Sequence, residues 1–297
     1  MPPYHIPPKV QRQIDLAVEA YKSEMSSFAY VAKRLAEDLL SDANLHALIH
    51  SSKFRHKDPV HLADKLERKA IKAGEARQPF TITARNVLEE IEDLAGVRLL
   101  HIHTQQIREI HPVLCRVLSR HKYTFVGKPI AYTWDIENKA LFQQLNIVPQ
   151  DRESFYTSIH YIVRAPDGSK CEIQVRTLAE ELWGEVSHSI AYPSPIESIA
   201  CKEQLMALAR VASGCTRLVD SIIASKNEFT VLTKATESIP PTLGNRKEVI
   251  EVPRHRANRK GIKKIPSKSP VPGKQDIEVI GEIGLPLGKD MFAEAYE

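Results

Sequence analysis

The sequence predicts an α/β fold, and three observations carry the prediction. A long amphipathic stretch opens the chain. A helical pattern runs directly into a short apolar, β-branched run near Val97, and two alternating segments joined by Pro166-Asp167-Gly168 read as a hairpin followed by further helices. Taken in order, Val10 to Leu48 reads as helix because Ile14, Val18, Tyr21, Met25, Phe28, Ala32, Leu35 and Leu39 recur at spacings of four and three with no glycine or proline between them. Pro59 to Ala73 reads as a second amphipathic helix, started by Asp58-Pro59 and stopped by Gly74. Ala84 to Leu94 is a third, handing over near Asp93 to a strand from Val97 to Ile102. Ile107 to Leu118 is helical in spite of Pro112. Tyr156 to Val163 and Lys170 to Thr177 are the arms of the hairpin. Leu178 to Ile190 and Glu197 to Ile223 are helices parted by Pro193 and Pro195. The stretch from Pro253 to Lys274 is too rich in Lys, Arg, Pro and Gly to bury a core and predicts a flexible basic tail.

Composition narrows the class of protein. With 297 residues, 42% of them hydrophobic, the chain can bury a core without staples. Cys115, Cys171, Cys201 and Cys215 lie far apart, with neither disulfide-framework nor zinc spacing, which fits a reducing cytoplasm. The N-terminus has no signal-peptide pattern, and no apolar run is long enough to span a bilayer, so the protein is expected to be soluble and cytoplasmic. The net charge of +4 is mild, and the local pattern of charge says more.

Three polar clusters suit phosphate chemistry. In the first, Arg55 and Lys57 precede a helix on which Lys65, Arg68 and Lys69 share a face, a geometry that could clamp a triphosphate or simply be a solvated surface. In the second, Asp93 stands before Gly96 at a helix-to-strand junction, where a carboxylate can hold a hard cation or where glycine merely caps the helix. The third is the hairpin, in which alternation puts Tyr156, Ser158 and His160 on one face of one arm, and Glu172, Gln174 and Arg176 on one face of the other, with Ile159, Ile173 and Val175 behind. A two-residue Asp167-Gly168 turn would put the two polar sets on opposite sides, so an odd-numbered loop or a bulge is expected, pairing His160 with Gln174 or Arg176.

In this order the clusters resemble the synthetase domain of the RelA/SpoT alarmone synthetases. Arg55, Lys57 and Lys65 lie in FRHKDPVHLADKLERK, Asp93 to Arg98 is DLAGVR, Tyr156 to His160 is YTSIH, and Glu172 to Thr177 is EIQVRT, followed by Trp183, Glu185 and His188 in LWGEVSH. The resemblance covers about Phe54 to Tyr192. It implies a nucleotidyltransferase-like domain with a mixed, twisted sheet and helical extensions at both ends, and a GTP pyrophosphokinase of the stringent response that moves diphosphate from ATP to the ribose 3′-hydroxyl of GTP or GDP with Mg²⁺. Implied for ATP are Arg55 and Arg98, which would sandwich adenine, and Lys57 and Lys65, which would hold its phosphates. Asp93 would bind the metal, and Glu172 would share it or activate the attacking hydroxyl. Tyr156 would stack on guanine, His160 would contact the acceptor's phosphates, and Arg152, Gln174 and Arg176 would complete the acceptor side.

The chain departs from the family pattern before the tyrosine, where Asp151-Arg152-Glu153-Ser154-Phe155 replaces a Pro-Lys-x-Asn-Gly segment: Arg152 keeps a positive charge, Phe155 takes the place of glycine, and Glu153 adds an anion. His61 stands where serine is common. No His-Asp dipeptide marks a hydrolase domain, so the resemblance implies a small, synthetase-only member organised as residues 1–50, a helical cap; 51–230, the synthetase domain; and 231–297, the basic tail. Two alternatives accompany it. A toxic relative would pyrophosphorylate the 3′ end of tRNA and answer to an antitoxin, a possibility to which Arg254, Arg256, Arg259, Lys260, Lys263 and Lys264 give substance. A non-catalytic nucleotide-binding module would not need both Asp93 and Glu172. A homo-oligomer is also expected from the resemblance.

Overall fold

The structure, a computed structural model, describes residues 5–152, 155–191 and 198–237. Residues up to Glu228 cluster as one unit; of the second, Phe229–Leu287, the described residues are the final turns of the last helix. The first unit is α/β, as expected, and is built on a seven-stranded mixed sheet. The expected basic tail, and Pro193 and Pro195, lie outside the described residues.

Helix α1 (Pro8–Leu40) buries Ile14, Val18, Tyr21, Phe28, Leu35 and Leu39, the stripe read from the sequence. It ends earlier than expected, because the Asp42 carboxylate accepts from the amides of Asn44 and Leu45 and starts a separate helix, α2 (Ala43–Leu48). Strand β1 (Ser51–His56) leads to α3 (Pro59–Glu75), which Asp58 caps in the same way through Val60 and His61. Gly74 does not stop this helix. The chain turns at Arg77, which takes a left-handed φ of 55°, while its amide donates to the Gly74 carbonyl and that of Gln78 to Ala73. The expected helix from Ala84 to Leu94 shrinks to one turn, α4 (Val87–Glu90), since Asn86 Oδ1 takes the amide and hydroxyl of Thr83 and the chain is already extended at Ile91. Asp93 therefore stands in a short turn before β2 (Ala95–His101), not at a helix end. After α5 (Ile107–Arg120), which contains Pro112, come four pieces that periodicity did not reveal: β3 (Thr124–Phe125), β4 (Ile130–Tyr132), α6 (Ile136–Gln144) and β5 (Val148–Gln150). The hairpin follows as β6 (Ser158–Arg164) and β7 (Lys170–Thr177). Helices α7 (Leu178–Ala191) and α8 (Ile199–Glu237) close the described chain, α8 running well beyond its expected end at Ile223.

Strand order is β1-β2-β7-β6-β4-β5, with β3 paired to the far end of β6. The β2–β7 and β4–β5 pairs are parallel and the others antiparallel. Val97, Leu99, Ile159, Tyr161, Ile173 and Val175 are buried in the same core as the α1 stripe and Ile110, Leu114 and Leu118 of α5. That packing leaves the other face of the sheet for polar side chains.

Candidate active site

Pairing decides which side chains meet. Arg164 faces Lys170 across a five-residue loop, Ala165 to Ser169, so His160 lies opposite Gln174, one of the two pairings expected. One row across the sheet is Lys53, Arg98, Gln174 and His160, and the neighbouring row is Arg55, Gly96 and Glu172. Residues in register share a face, so the three sequence clusters converge on one polar wall. Gly96 puts no side chain between Arg55 and Glu172; a Cβ there would meet the Glu172 carbonyl oxygen at 3.7 Å, an ordinary contact. Arg68 and Lys69 are exposed on the outside of α3, so of that basic face only Lys65 reaches the site.

Asp93 anchors one end of this wall. Its two oxygens accept from Lys57 Nζ at 2.6 Å and Lys65 Nζ at 3.1 Å. Lys57 is 2% exposed, Asp93 3%. The backbone of Lys57 is fixed as well: its amide donates to the Leu94 carbonyl at 2.9 Å, and its carbonyl accepts from the Tyr21 hydroxyl at 2.5 Å. Burial works against a charge on Asp93, but Lys57, Lys65 and Arg55 outweigh it and hold the carboxyl well below the ordinary carboxylate range. Burial lowers Arg55 to about 10, against the opposing pull of Asp93 and Glu172, so this guanidinium feels both carboxylates.

Glu172 heads the other end. One oxygen is 2.8 Å from His160 Nδ1 and the other accepts from Gln174 Nε2 at 2.8 Å, while the Tyr156 hydroxyl lies 3.0 Å from His160 Nε2. Burial disfavours the ionised forms. Even so, Tyr156 and Glu172 push His160 up to about 9, and the charge and hydrogen bond of His160 bring Glu172 down to about 2, with Asp93 opposing that fall as a neighbouring anion. Tyr156 is 7% exposed, with Trp183 at 6.4 Å and the Arg176 guanidinium at 5.8 Å from its ring. Arg152 lies 4.1 Å over the ring of Tyr132. Phe155, in the glycine's place, adopts a glycine-like φ of 64°, held by Trp134 at 4.9 Å and Arg210 at 5.2 Å. A narrow cleft beside Tyr156 is lined by Trp134, Phe155, Glu180, Trp183 and Ser213, and does not include Asp93 or Glu172.

The principal residue that sequence reasoning missed is Glu181. Thr177 and Glu180 form reciprocal side-chain bonds to each other's amides at 3.2 and 2.8 Å, a capping box that starts α7 and sets its phase. Glu181 and Glu185, four residues apart, then face the sheet. Glu181 takes Arg98 at 2.6 Å and Lys53 at 3.3 Å on one oxygen, and Arg176 at 2.6 Å on the other; Glu185 also takes Arg98, at 3.0 Å. Burial opposes its charge, but Arg176 and Arg98 hold Glu181 at about 2, whereas burial and its neighbour Glu181 push Glu185 up. The signal was present in the capping-box spacing Thr177-x-x-Glu180, which fixes which residues of α7 turn inward.

Among the described residues no group of three or more His, Cys, Asp or Glu side chains could by itself hold a metal ion. Asp93 and Glu172 are nevertheless hard oxygen donors kept ionised by their surroundings, and could serve a cation that takes its remaining ligands from phosphate and water. None of the described helices is long and apolar enough to cross a membrane.

The family described as "Region found in RelA / SpoT proteins" matches residues 54–197. The chain is 24% identical over 188 residues to GTP pyrophosphokinase YwaC of Bacillus subtilis (strain 168), covering 59% of this chain and 76% of that one. It is 29% identical over 112 residues to GTP pyrophosphokinase YjbM of the same organism, covering 35% and 44%. Among solved structures it resembles small alarmone synthetase 1 from Bacillus subtilis, with 20% identity, coverage of 71% and 96% and a TM-score of 0.47. It also resembles smu.1046c from Streptococcus mutans UA159, with 19% identity, coverage of 72% and 98% and a TM-score of 0.46. Residues 54–197 of this chain thus match the region found in RelA / SpoT proteins, and the four motifs within it meet on one face of its sheet.

Proposed function

We propose that the chain is a GTP pyrophosphokinase that makes (p)ppGpp-type alarmones in the cytoplasm from ATP and GTP or GDP. The ribose 3′-oxygen of the acceptor attacks the β-phosphorus of ATP, the bond from that phosphorus to the oxygen bridging it to the α-phosphate breaks, AMP leaves, and the hydroxyl proton passes to solvent or to a carboxylate. One observation carries this reading: Asp93 and Glu172, seventy-nine residues apart in sequence, come near enough that both act on Arg55 and Asp93 acts on Glu172.

In such a transfer the protein does little covalent chemistry, and positioning and charge neutralisation supply most of the acceleration. Lys57 and Lys65 stand where they can pass from Asp93 to the phosphates of ATP. Arg55 and Arg98 present planar guanidiniums for adenine on adjacent strands. Asp93 and Glu172 would hold Mg²⁺, which would supply positive charge to the diphosphate in flight. A carboxylate held at about 2 is a poor proton acceptor, which favours Glu172 as a ligand over Glu172 as a base. His160, Arg152, Gln174 and Arg176 would orient the acceptor. Tyr156 can stack on guanine once Trp183, whose indole donates to the Leu205 carbonyl of α8 at 2.9 Å, yields part of its cover.

The test is incubation with γ-labelled ATP and Mg²⁺, offering guanine nucleotides or bulk tRNA. Label should appear in a guanine nucleotide and vanish in folded Asp93→Ala and Glu172→Ala variants. Label in tRNA would replace the acceptor, and full activity in either carboxylate variant would overturn the assignment of the site.

A further inference from the structure

Glu181 touches both halves of the site. Its carboxylate draws in Lys53 from β1, Arg98 from β2 and Arg176 from β7, and these approaches use both of its oxygens. By the reading above, Arg98 belongs to the donor side and Arg176 to the acceptor side. We propose that Glu181 is a positioning residue that ties the donor arginine to the acceptor arginine, so that one carboxylate sets the geometry of both nucleotide subsites. The inference rests on the proposed pyrophosphokinase activity.

Two guanidiniums gathered at one place repel each other, and Arg176 is, after burial, the largest influence disfavouring the charge on Arg98. An ionised carboxylate between them cancels that repulsion. A charge-assisted hydrogen bond of 2.6 Å fixes the rotamer of Arg98, and an ion pair of 2.6 Å holds Arg176 beside it. The carboxylate in turn is aimed by its helix, whose phase the capping box sets. The same helix makes room for Arg176 at Gly184, where a Cβ would stand 2.9 Å from Nη1. Removing the charge of Glu181 while keeping its shape should let Arg98 and Arg176 part, and both subsites should loosen together. Neither nucleotide needs to touch Glu181 for this to happen.

The experiment compares the full chain with Glu181→Gln, Glu181→Asp and Arg176→Lys, reading KM for ATP and for GTP separately from kcat. Glu181→Gln should raise both KM values about tenfold with kcat changed less than about threefold, the pattern of lost binding rather than lost chemistry. Glu181→Asp, which keeps the charge, should return both to within about threefold of wild type. Arg176→Lys keeps Glu181 in place, and so remains informative if the glutamine variant does not fold; it should raise KM for ATP as well as for GTP. The inference is overturned if Glu181→Gln moves only one KM or neither, if Asp and Gln behave alike, or if Arg176→Lys leaves the KM for ATP unchanged. A wild type that transfers nothing from ATP to a guanine nucleotide brings down the activity and this inference with it. An active wild type with unresponsive variants brings down the inference alone.

Discussion

Replacing Asp93 by Asn separates what the carboxylate does for folding from the part proposed for it in diphosphate transfer. Lys57 is 2% exposed and its ammonium donates to Asp93 at 2.6 Å, whereas Lys65, whose side chain is 11% exposed, can turn toward water. Taking one member from a buried pair strands the other charge and costs about 3–5 kcal/mol, so Asp93→Asn should lose about that much stability near neutral pH. Burial already lowers the pKa of Lys57, and without Asp93 it should fall further. The unfolded state then holds more protons than the folded state, so the deficit should shrink as pH rises toward that of a free lysine. Replacing the pair together, Lys57→Met with Asp93→Leu, removes both charges and should recover most of the loss, because buried ion pairs are often no more stabilising than packed apolar residues. The double variant should nevertheless transfer no diphosphate. Urea denaturation at several pH values, with transfer measured on the same preparations, checks each step. An Asp93→Asn variant within about 1 kcal/mol of wild type would refute the buried-pair reasoning, a difference well above the scatter of ordinary surface substitutions. A stable and active double variant would refute the catalytic one.

Three further outcomes are expected. Tyr21→Phe leaves the Lys57 carbonyl without its buried donor and should cost about 1–3 kcal/mol, together with a higher KM for ATP; unchanged denaturation and kinetics would count against the contact. Burial lowers His101 to about 4 from an unfolded value near 6.5, so its contribution is complete above about 6.5 and is lost as pH falls toward 4. Stability should drop by about 2 kcal/mol between pH 7 and pH 5 on this account, and a folded His101→Gln variant should lack that part of the slope. Arg77→Gly relieves a left-handed residue at an exposed helix end and should raise the melting temperature, by about 0.5–1 kcal/mol in stability, with no change in activity.

How far the sequence disclosed this molecule depended on where each signal came from. The stripe on α1 and the parity of β6 and β7 were legible because burial imposes periods of about 3.6 and 2 on side chains. The convergence of Asp93 with Lys57 and Lys65 was legible only through the motifs, since the pattern of apolar residues does not say which turn meets which helix. The strands Thr124–Phe125, Ile130–Tyr132 and Val148–Gln150 escaped because two or three residues are too few to show alternation. The helix expected from Ala84 to Leu94 failed for a different reason: a local bond from the Thr83 amide to the Asn86 side chain competed with helical pairing and won. Glu181 looked like one acidic residue among several on an exposed helix. The capping-box spacing gives the phase of its helix, but its partners appear only when Lys53, Arg98 and Arg176, from three separate strands, are seen to point at it.

The hydroxyl of Tyr21 reaches across from the first helix to the carbonyl of Lys57, and the family region begins only at residue 54. A fragment cut to that region would keep every motif residue and lose the strut that holds one of them in place. The segment that defines kinship is thus smaller than the segment that must fold together for Lys57 to be aimed.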